Sequence, residues 1–122
     1  MKLTRLLQKS NSQGVKSEKQ ALNYLLSQGL TLVCQNYYCR MGEVDLIMQD
    51  QDTLVFIEVR YRKNSDFGGA LASITTAKQK KLIKTAKHYL AQLEYEPYCR
   101  FDAIAIEQHS NTLEWIQNAF IE

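Results

Sequence analysis

Apolar residues recur along this chain with two different periods, and each change of period marks a new secondary-structure element. A first helix is predicted in VKSEKQALNYLLSQG, where Gly29 stands at a position that commonly ends a helix. A second, longer helix is predicted in SITTAKQKKLIKTAKHYLAQL, with Thr75 or Thr76 as its N-terminal cap. The buried stripes are expected to be Val15, Leu22, Leu25 and Leu26 in the first helix and Leu82, Ala86, Tyr89 and Leu93 in the second.

Elsewhere the pattern shortens to the two-residue period of β-strands. Three strand segments, LTLVCQNYYCR, EVDLIMQ and TLVFIEVRYR, are separated by a turn at Met41 and Gly42 and by the polar turn DQD. RFDAIAIEQ is predicted as a strand after the loop that contains Pro97, and TLEWI as a returning edge strand. This order predicts an α/β sandwich or α+β domain in which three antiparallel strands form a meander and the long helix crosses over to the next strand.

The hairpin from Gly42 to Arg62 carries charged residues where a core would be expected. A turn centred between Gln51 and Asp52 places Asp45 directly across from Glu58, and Glu43 across from Arg60. Because side chains two apart share a face, one face is predicted to hold Glu43, Asp45, Glu58, Arg60 and Arg62 together with Ile47, Leu54 and Phe56. The other face is predicted to hold Val44, Leu46, Met48, Val55, Ile57 and Val59.

Two explanations fit the opposed carboxylates. The first is a solvated face on which Glu43 and Arg60 form a cross-strand ion pair. The second is a cation site, since carboxylates about 5 Å apart repel by roughly 3 kcal/mol at an effective dielectric near 20, and a cation removes this repulsion. With Glu18 on the apolar stripe of the first helix, three carboxylates would suit Mg²⁺ or Mn²⁺ with several retained waters. Such a metal could activate one of those waters.

Composition narrows the classes of protein that fit. The chain has 122 residues, 45% of them hydrophobic, which is enough for one core; we expect a flexible segment over 1–13 and a single domain over 14–122. Cys34, Cys39 and Cys99 form no CxxC pair, which argues against a zinc site or a disulfide framework. The N-terminal segment has no uninterrupted apolar run, so no secretory signal or membrane span is expected, and a cytoplasmic location is predicted.

The net charge of +2 is small, but positive charge is concentrated on the long helix. No Asp or Glu occurs between Asp66 and Glu94, and the lysines within that stretch are Lys78, Lys80, Lys81, Lys84 and Lys87. A merely solvated helix face is one interpretation; beside Arg60 and Arg62, the same run predicts a surface that follows phosphate groups. No glycine-rich dinucleotide loop or Walker loop occurs, and the two histidines lack partners at the spacing of a metal pair or a catalytic triad.

The order of these motifs resembles that of the PD-(D/E)xK nuclease superfamily: an Asp on one strand precedes a Glu-x-basic triplet on the next, between a helix with a Glu and a helix that begins with Lys-Gln. More narrowly, GEVDLIMQDQDTLVFIEVRYR, FGGALASITTAKQKKL, RFDAIAI and QNAF resemble the YraN-type family of uncharacterised bacterial proteins, which is related in fold to archaeal Holliday-junction resolvases. The resemblance runs from Gly14 to Phe120.

The resemblance implies a restriction-endonuclease-like αβββαβ core, a mixed sheet flanked by helices, and metal-dependent phosphodiester hydrolysis. On the matching positions, Asp45 and Glu58 are the metal-binding acids and Glu18 is the acid of the first helix. Arg60 stands where the superfamily usually has lysine. Because related resolvases act as dimers, a homodimer that binds DNA is expected.

Arg60 leaves the chemistry open. An arginine can hold a phosphate by charge and forked hydrogen bonds, but it cannot release a proton at physiological pH. Water activation would then fall to the metal, to Glu58 or to Lys78. Gln79 either points toward the carboxylates as a member of the site or caps the start of the long helix with Thr76.

Three functions are consistent with these residues: a structure-selective, metal-dependent DNA endonuclease, a non-catalytic nucleic-acid-binding module with a degenerate nuclease site, and a protein-interaction scaffold. The predicted contacts with nucleic acid are Arg60, Arg62, Lys78, Lys80, Lys81 and Lys84. The loop NSDFGGALAS is either a hinge over the site, through Gly68 and Gly69, or a plain connector.

Overall fold

Five strands form one mixed sheet, and a helix packs against each of its faces. The computed structural model describes residues 13–63 and 70–120. Its elements are α1 (Gln13–Ser27), β1 (Thr31–Cys39), β2 (Gly42–Asp50), β3 (Thr53–Arg62), a 3₁₀ turn (Leu71–Ser73), α2 (Thr76–Leu90), β4 (Tyr98–Glu107) and β5 (Thr112–Phe120). The strands lie in the order β1-β2-β3-β4-β5, with β3 and β4 parallel and the other pairs antiparallel. The predicted mixed α/β fold is confirmed.

Helix α2 makes the crossover that the parallel pair requires. Parallel neighbours cannot be joined by a tight hairpin, so the chain leaves the end of β3 and returns through α2 to the start of β4. The helix is capped by Thr75, whose side chain accepts a hydrogen bond from the backbone N–H of Lys78 at 3.2 Å. Lys87 and His88 lie in its last turn, where positive charge is favourable to the helix dipole.

Each helix covers one hydrophobic cluster. The cluster under α1 consists of Ala21, Leu25, Leu30, Leu46, Met48, Val55, Ile57, Ile104 and Ile106. The cluster under α2 consists of Val44, Ile47, Leu54, Phe56, Ile74, Leu82, Ala86 and Ala103. Central strands β3 and β4 contribute to both clusters, so the sheet is apolar on both faces, as is usual where helices cover both sides.

The alternation of faces along β2 breaks at Asp45, which corrects one sequence prediction. Leu46 packs under α1 and Ile47 under α2, as strict alternation requires, but Val44 packs under α2 instead of beside Leu46. Asn36, opposite Asp45 in the β1-β2 register, has a positive φ of 52°. A backbone irregularity at Asn36 and Asp45 changes which face of the sheet the next side chains occupy. A prediction that assumes strict alternation cannot include this change.

A carboxylate is fully buried in the sheet at Asp102, on β4. It accepts hydrogen bonds from Arg100 Nε (3.1 Å to each oxygen), from Trp115 Nε1 (2.9 Å) and from the backbone N–H of Asn118 (3.0 Å). Arg100 also donates to Asp50 Oδ2 at 3.0 Å. This network ties edge strand β5 and the end of β2 to the centre of the sheet.

The flexible segment predicted for 1–13 lies outside the described residues except for Gln13, and so do Gly68 and Gly69. Within the described ranges, neither helix combines the length and the apolar character needed to cross a membrane.

Candidate metal and phosphate site

The β2-β3 hairpin brings the two predicted acids together. Leu46 pairs with Ile57, which is the register expected from a turn between Gln51 and Asp52. One position beyond this last paired position, Glu58 lies close enough to Asp45 for its negative charge to raise the pKa of the Asp45 carboxyl group. The backbone N–H of Val59 donates to Asp45 Oδ2 at 2.8 Å. A carboxyl group with one backbone donor and another carboxyl group beside it is an unusual arrangement for a partly buried position.

The surroundings of Asp45 favour its protonated form. Burial raises the pKa of Asp45 well above its ordinary value, and the negative charge of Glu58 raises it further. The hydrogen bond from Val59 opposes this rise in pKa, whereas the more modest effect of Glu43 adds to it. The pair therefore tends to keep a proton that a bound cation would replace.

Arg60 is held in a fixed position beside the acid pair. Its Nη1 donates to Glu58 Oε2 at 3.0 Å, and its Nε donates to Ser73 Oγ at 2.8 Å. Ser73 in turn donates to the backbone oxygen of Ala70 at 2.5 Å. Arg60 and Glu58 therefore form an ion pair between two residues of β3. The Arg60 side chain is 24% exposed and the Glu58 side chain 13%.

Within the described residues, this clamp uses two of the three guanidinium nitrogens. Nη1 and Nε are used by Glu58 and Ser73, while no described residue accepts a hydrogen bond from Nη2 of Arg60. A planar guanidinium with a free edge can bind a phosphate oxygen in a defined orientation. Ser73 is a member of the site that sequence reasoning missed, because it lies thirteen positions from Arg60 and its type is common in loops.

Glu18 lies on α1 and lines a groove between this helix and edge strand β1. The groove is also lined by Val15 and Leu22 of the same helix and by Gln35 and Asn36 of β1. Asn36 stands opposite Asp45 in the β1-β2 register. Across residues 13–63 and 70–120, no three acidic, imidazole or thiol groups converge as a ready-made metal cluster. The assignment of Glu18 as a metal ligand therefore stays a prediction.

Gln79 braces the start of α2. Its Nε2 donates to the backbone oxygen of Ile74 at 3.2 Å, and its own backbone N–H donates to the oxygen of Thr75. The bond to Ile74 O ties the Gln79 side chain to the backbone just before the helix, while the cap itself is Thr75. The assignment of Gln79 to the site stays a prediction.

Most of the predicted nucleic-acid-binding residues are exposed lysines of α2. The exposed lysines of α2 are Lys78, Lys80, Lys81, Lys84 and Lys87, and Arg62 is partly buried at the end of β3. The helix starts three residues after Ser73, so its positive N-terminal end lies near the clamp on Arg60.

Gly42, with φ of 150°, lets α2 approach the sheet closely: a Cβ there would lie 3.1 Å from Thr85 Oγ1.

A second polar contact between α2 and the sheet was not foreseen. His88 Nδ1 and Tyr37 Oη lie 2.5 Å apart, with the donor set by the histidine tautomer, and Gln92 Nε2 donates to Tyr37 Oη at 2.6 Å. The Tyr37 ring also packs edge-on against Tyr89. Tyr37 and His88 are 51 positions apart, and nothing local in either segment indicates the pairing. This contact fastens edge strand β1 to the helix.

Comparisons with known proteins agree with the family suggested by the motifs. Residues 17–106 match the model of "Uncharacterised protein family UPF0102". A "UPF0102 protein" from Psychromonas ingrahamii is 74% identical over 122 residues, the whole of both chains. Relatives with the same name from Nitrosomonas eutropha (56% identical; 93% of this chain and 97% of the relative) and Legionella pneumophila (50%; 91% and 96%) are also similar. The chain therefore belongs to the UPF0102 family, the YraN-type family that its motifs resemble.

Proposed function

We propose that this protein binds nucleic acid along α2 and Arg60 and hydrolyses phosphodiester bonds at the Asp45-Glu58 pair with the help of Mg²⁺ or Mn²⁺. One observation carries the proposal: Glu58 lies close enough to Asp45 to raise its pKa, beside an arginine whose Nη2 has no acceptor among the described residues. A purely structural sheet gains nothing from this arrangement, because the like charges disfavour each other.

The donor set fits a hard divalent cation. Mg²⁺ commonly uses only one or two carboxylates, with waters and substrate phosphates completing its coordination. Asp45 and Glu58 would hold the ion, and Glu18 of α1 is the predicted third ligand. When bound, the ion would neutralise phosphate charge and lower the pKa of a bound water. The proximity of the two carboxyls supports this assignment, since a cation would relieve their repulsion.

The residues around the pair would bind and orient the phosphate. Arg60 would donate from its free Nη2 edge to a non-bridging oxygen, while Glu58 and Ser73 keep the guanidinium in plane. Arg60 cannot take the proton of the attacking water, because guanidinium does not titrate near neutral pH. Glu58 would accept that proton. Asp45 must lose its own proton to act as a ligand, so cleavage should weaken as the pH falls.

The lysines of α2 would hold the flanking phosphates. Contacts of this kind are independent of base sequence, which favours recognition of backbone shape and therefore of branched or damaged DNA. Each lysine that neutralises one phosphate should add roughly 0.9 to the log-log salt slope of binding to duplex DNA. A second copy of the chain would be needed to cut paired strands, and a homodimer is part of the proposal.

Labelled Holliday junctions, flaps, duplexes and single strands, incubated with Mg²⁺ or Mn²⁺, test the proposal directly. We expect product with the wild type and none with Asp45→Asn, while binding is retained. Asp52→Asn is the matched control, because Asp52 is an exposed acid in the turn of the same hairpin. Undiminished cleavage by Asp45→Asn would show that the acid pair is not the site, and neither binding nor cleavage would leave only a scaffold role.

The second candidate is a binding module without catalysis, and the clamp on Arg60 favours it. An arginine fixed by Glu58 and Ser73 can hold a phosphate but cannot replace the lysine of a nuclease as a proton carrier. Salt-sensitive binding without product in either metal would identify this case. In the triple variant Lys78→Ala, Lys80→Ala and Lys84→Ala, the salt slope should fall by up to about 2.7.

A further inference from the structure

A groove of about 170 Å³ opens where the carboxyl ends of the parallel strands β3 and β4 meet. Tyr61 and Ile106 supply its apolar surface, and these two residues are direct neighbours in the sheet. Its polar lining includes the amides of Gln20, Gln108 and Asn111. In sheets with a helical crossover, the carboxyl ends of parallel strands are a common place for ligands.

Hydrogen bonds hold the turn that carries Gln108 and Asn111 in place. Among the described residues, they leave some donors and acceptors of the side-chain amides without a partner. Tyr61 Oη donates to Gln108 Oε1 at 2.5 Å. The turn is fixed by backbone bonds from Gln108 to Arg62 O (2.9 Å) and from Asn111 to Gln108 O (3.1 Å). Within the described part of the chain, no hydrogen bond is formed by Gln108 Nε2 or by the side chains of Gln20 and Asn111. Amide donors and acceptors therefore face a groove whose lining is mostly polar.

The lining excludes a phosphate and suits a nucleobase. No Lys, Arg or His lines the groove among the described residues, and its one charged group is the carboxylate of Glu107. A phosphate would meet that negative charge without a compensating cation. A base is neutral, its edge offers donors and acceptors that match amides, and its amino groups can donate to a carboxylate.

We propose that this groove receives one unpaired nucleobase of the nucleic acid that the protein binds. The inference rests on the proposed function and deepens it, since it names the kind of substrate. Tyr61 follows Arg60 in β3 and lies on the opposite face of the sheet, so a strand that passes the end of the sheet meets both. A base in a duplex has its edge paired and its faces stacked and cannot enter. The groove thus selects single-stranded or branched nucleic acid over intact duplex.

Fluorescence anisotropy with two labelled DNAs tests the groove: a single strand and a blunt hairpin duplex, equal in phosphate number and measured at one salt concentration. For Gln20→Ala combined with Gln108→Ala, we expect the single strand to bind about tenfold more weakly and the duplex to bind as before. Gln20→Ala alone is a second variant, because Gln20 is exposed on α1, where alanine favours the helix. The lysine triple variant should weaken both DNAs.

The outcomes separate the two proposals. If the wild type binds neither DNA, the proposed function fails and the groove inference fails with it. If the wild type binds both and the amide variants bind the single strand as tightly as the wild type, the groove inference alone is overturned. An equal loss on both DNAs also overturns it, because a base-binding groove has no contact with a paired base.

Discussion

Asp102 and Asp45 are two carboxyl groups of the same sheet in opposite circumstances. Asp102 is fully buried and receives hydrogen bonds from an arginine, a tryptophan and a backbone amide. Asp45 is partly buried, receives one backbone hydrogen bond and faces Glu58. Burial of a charge is costly in both places, but the interactions around Asp102 compensate for it and those around Asp45 do not.

The difference separates a structural acid from a candidate functional one. A buried carboxylate that is hydrogen-bonded on both oxygens by the protein stabilises the fold and has no acceptor site left for a ligand. A carboxyl group whose raised pKa comes from burial and a like charge is poised to exchange its proton for a cation, and groups of this kind concentrate at functional sites. Variants at the two positions should therefore change stability in opposite directions.

The largest expected effect is at Asp102. Asp102→Ala removes the shared acceptor of Arg100 and Trp115, and we expect the free energy of unfolding to fall by about 3–5 kcal/mol, as when one partner of a buried ion pair is lost. Urea unfolding followed by circular dichroism measures the change. Asp52→Ala is the exposed control, expected within about 0.5 kcal/mol of the wild type. A loss at Asp102 no larger than that of the control would remove the contrast with Asp45.

Asp45→Asn should stabilise the protein at neutral pH. Asparagine can accept the hydrogen bond of Val59 and donate to Glu58 without a charge. The folded-state pKa of Asp45 lies above the unfolded value, so the folded wild type binds more protons and loses stability as the pH rises from about 4 toward that raised pKa. The advantage of asparagine should be absent near pH 4 and should grow with pH in urea titrations. A difference that does not change with pH would contradict the shared proton.

A smaller effect is expected at Ser73. Ser73→Ala removes the acceptor of Arg60 Nε, and we expect a loss of about 1 kcal/mol, typical of one partly buried hydrogen bond. The pH dependence that Asp45 causes should persist, because Ser73 does not touch either carboxyl. Thermal unfolding at two pH values measures both quantities. If the pH dependence disappeared as well, Ser73 would belong to the acid pair rather than to the arginine clamp.

The smallest change in stability is expected from Glu58→Gln, within about 0.5 kcal/mol. Glutamine relieves the repulsion with Asp45 but weakens the ion pair with the partly exposed Arg60, and the two effects oppose each other. Urea unfolding of the single and double variants with Asp45→Asn gives the coupling energy between the positions. Additive effects of the two substitutions would mean that the carboxyls do not interact.

Much of the fold could be predicted from the amino-acid sequence. The hairpin register followed from one turn position, and the pairing of Leu46 with Ile57 confirms it. A helix cap at Thr75 or Thr76 followed from residue type and the change of period, and the structure selects Thr75. These features depend on neighbours in sequence, and local preference and side-chain periodicity are strong over such distances. The face of Val44 was wrong, because the irregularity at Asn36 and Asp45 involves two strands at once.

The candidate site divides in the same way. The sequence alone determined that Asp45 and Glu58 would be opposed, because a tight turn fixes the register of the residues on either side. Only the tertiary structure decided that Ser73 holds Arg60 and that Gln79 braces the helix start. The same is true of Asp102, which pairs with Arg100 and accepts a hydrogen bond from Trp115. These contacts join elements whose relative positions are set by how the helices pack on the sheet, and packing depends on the whole core rather than on any local pattern.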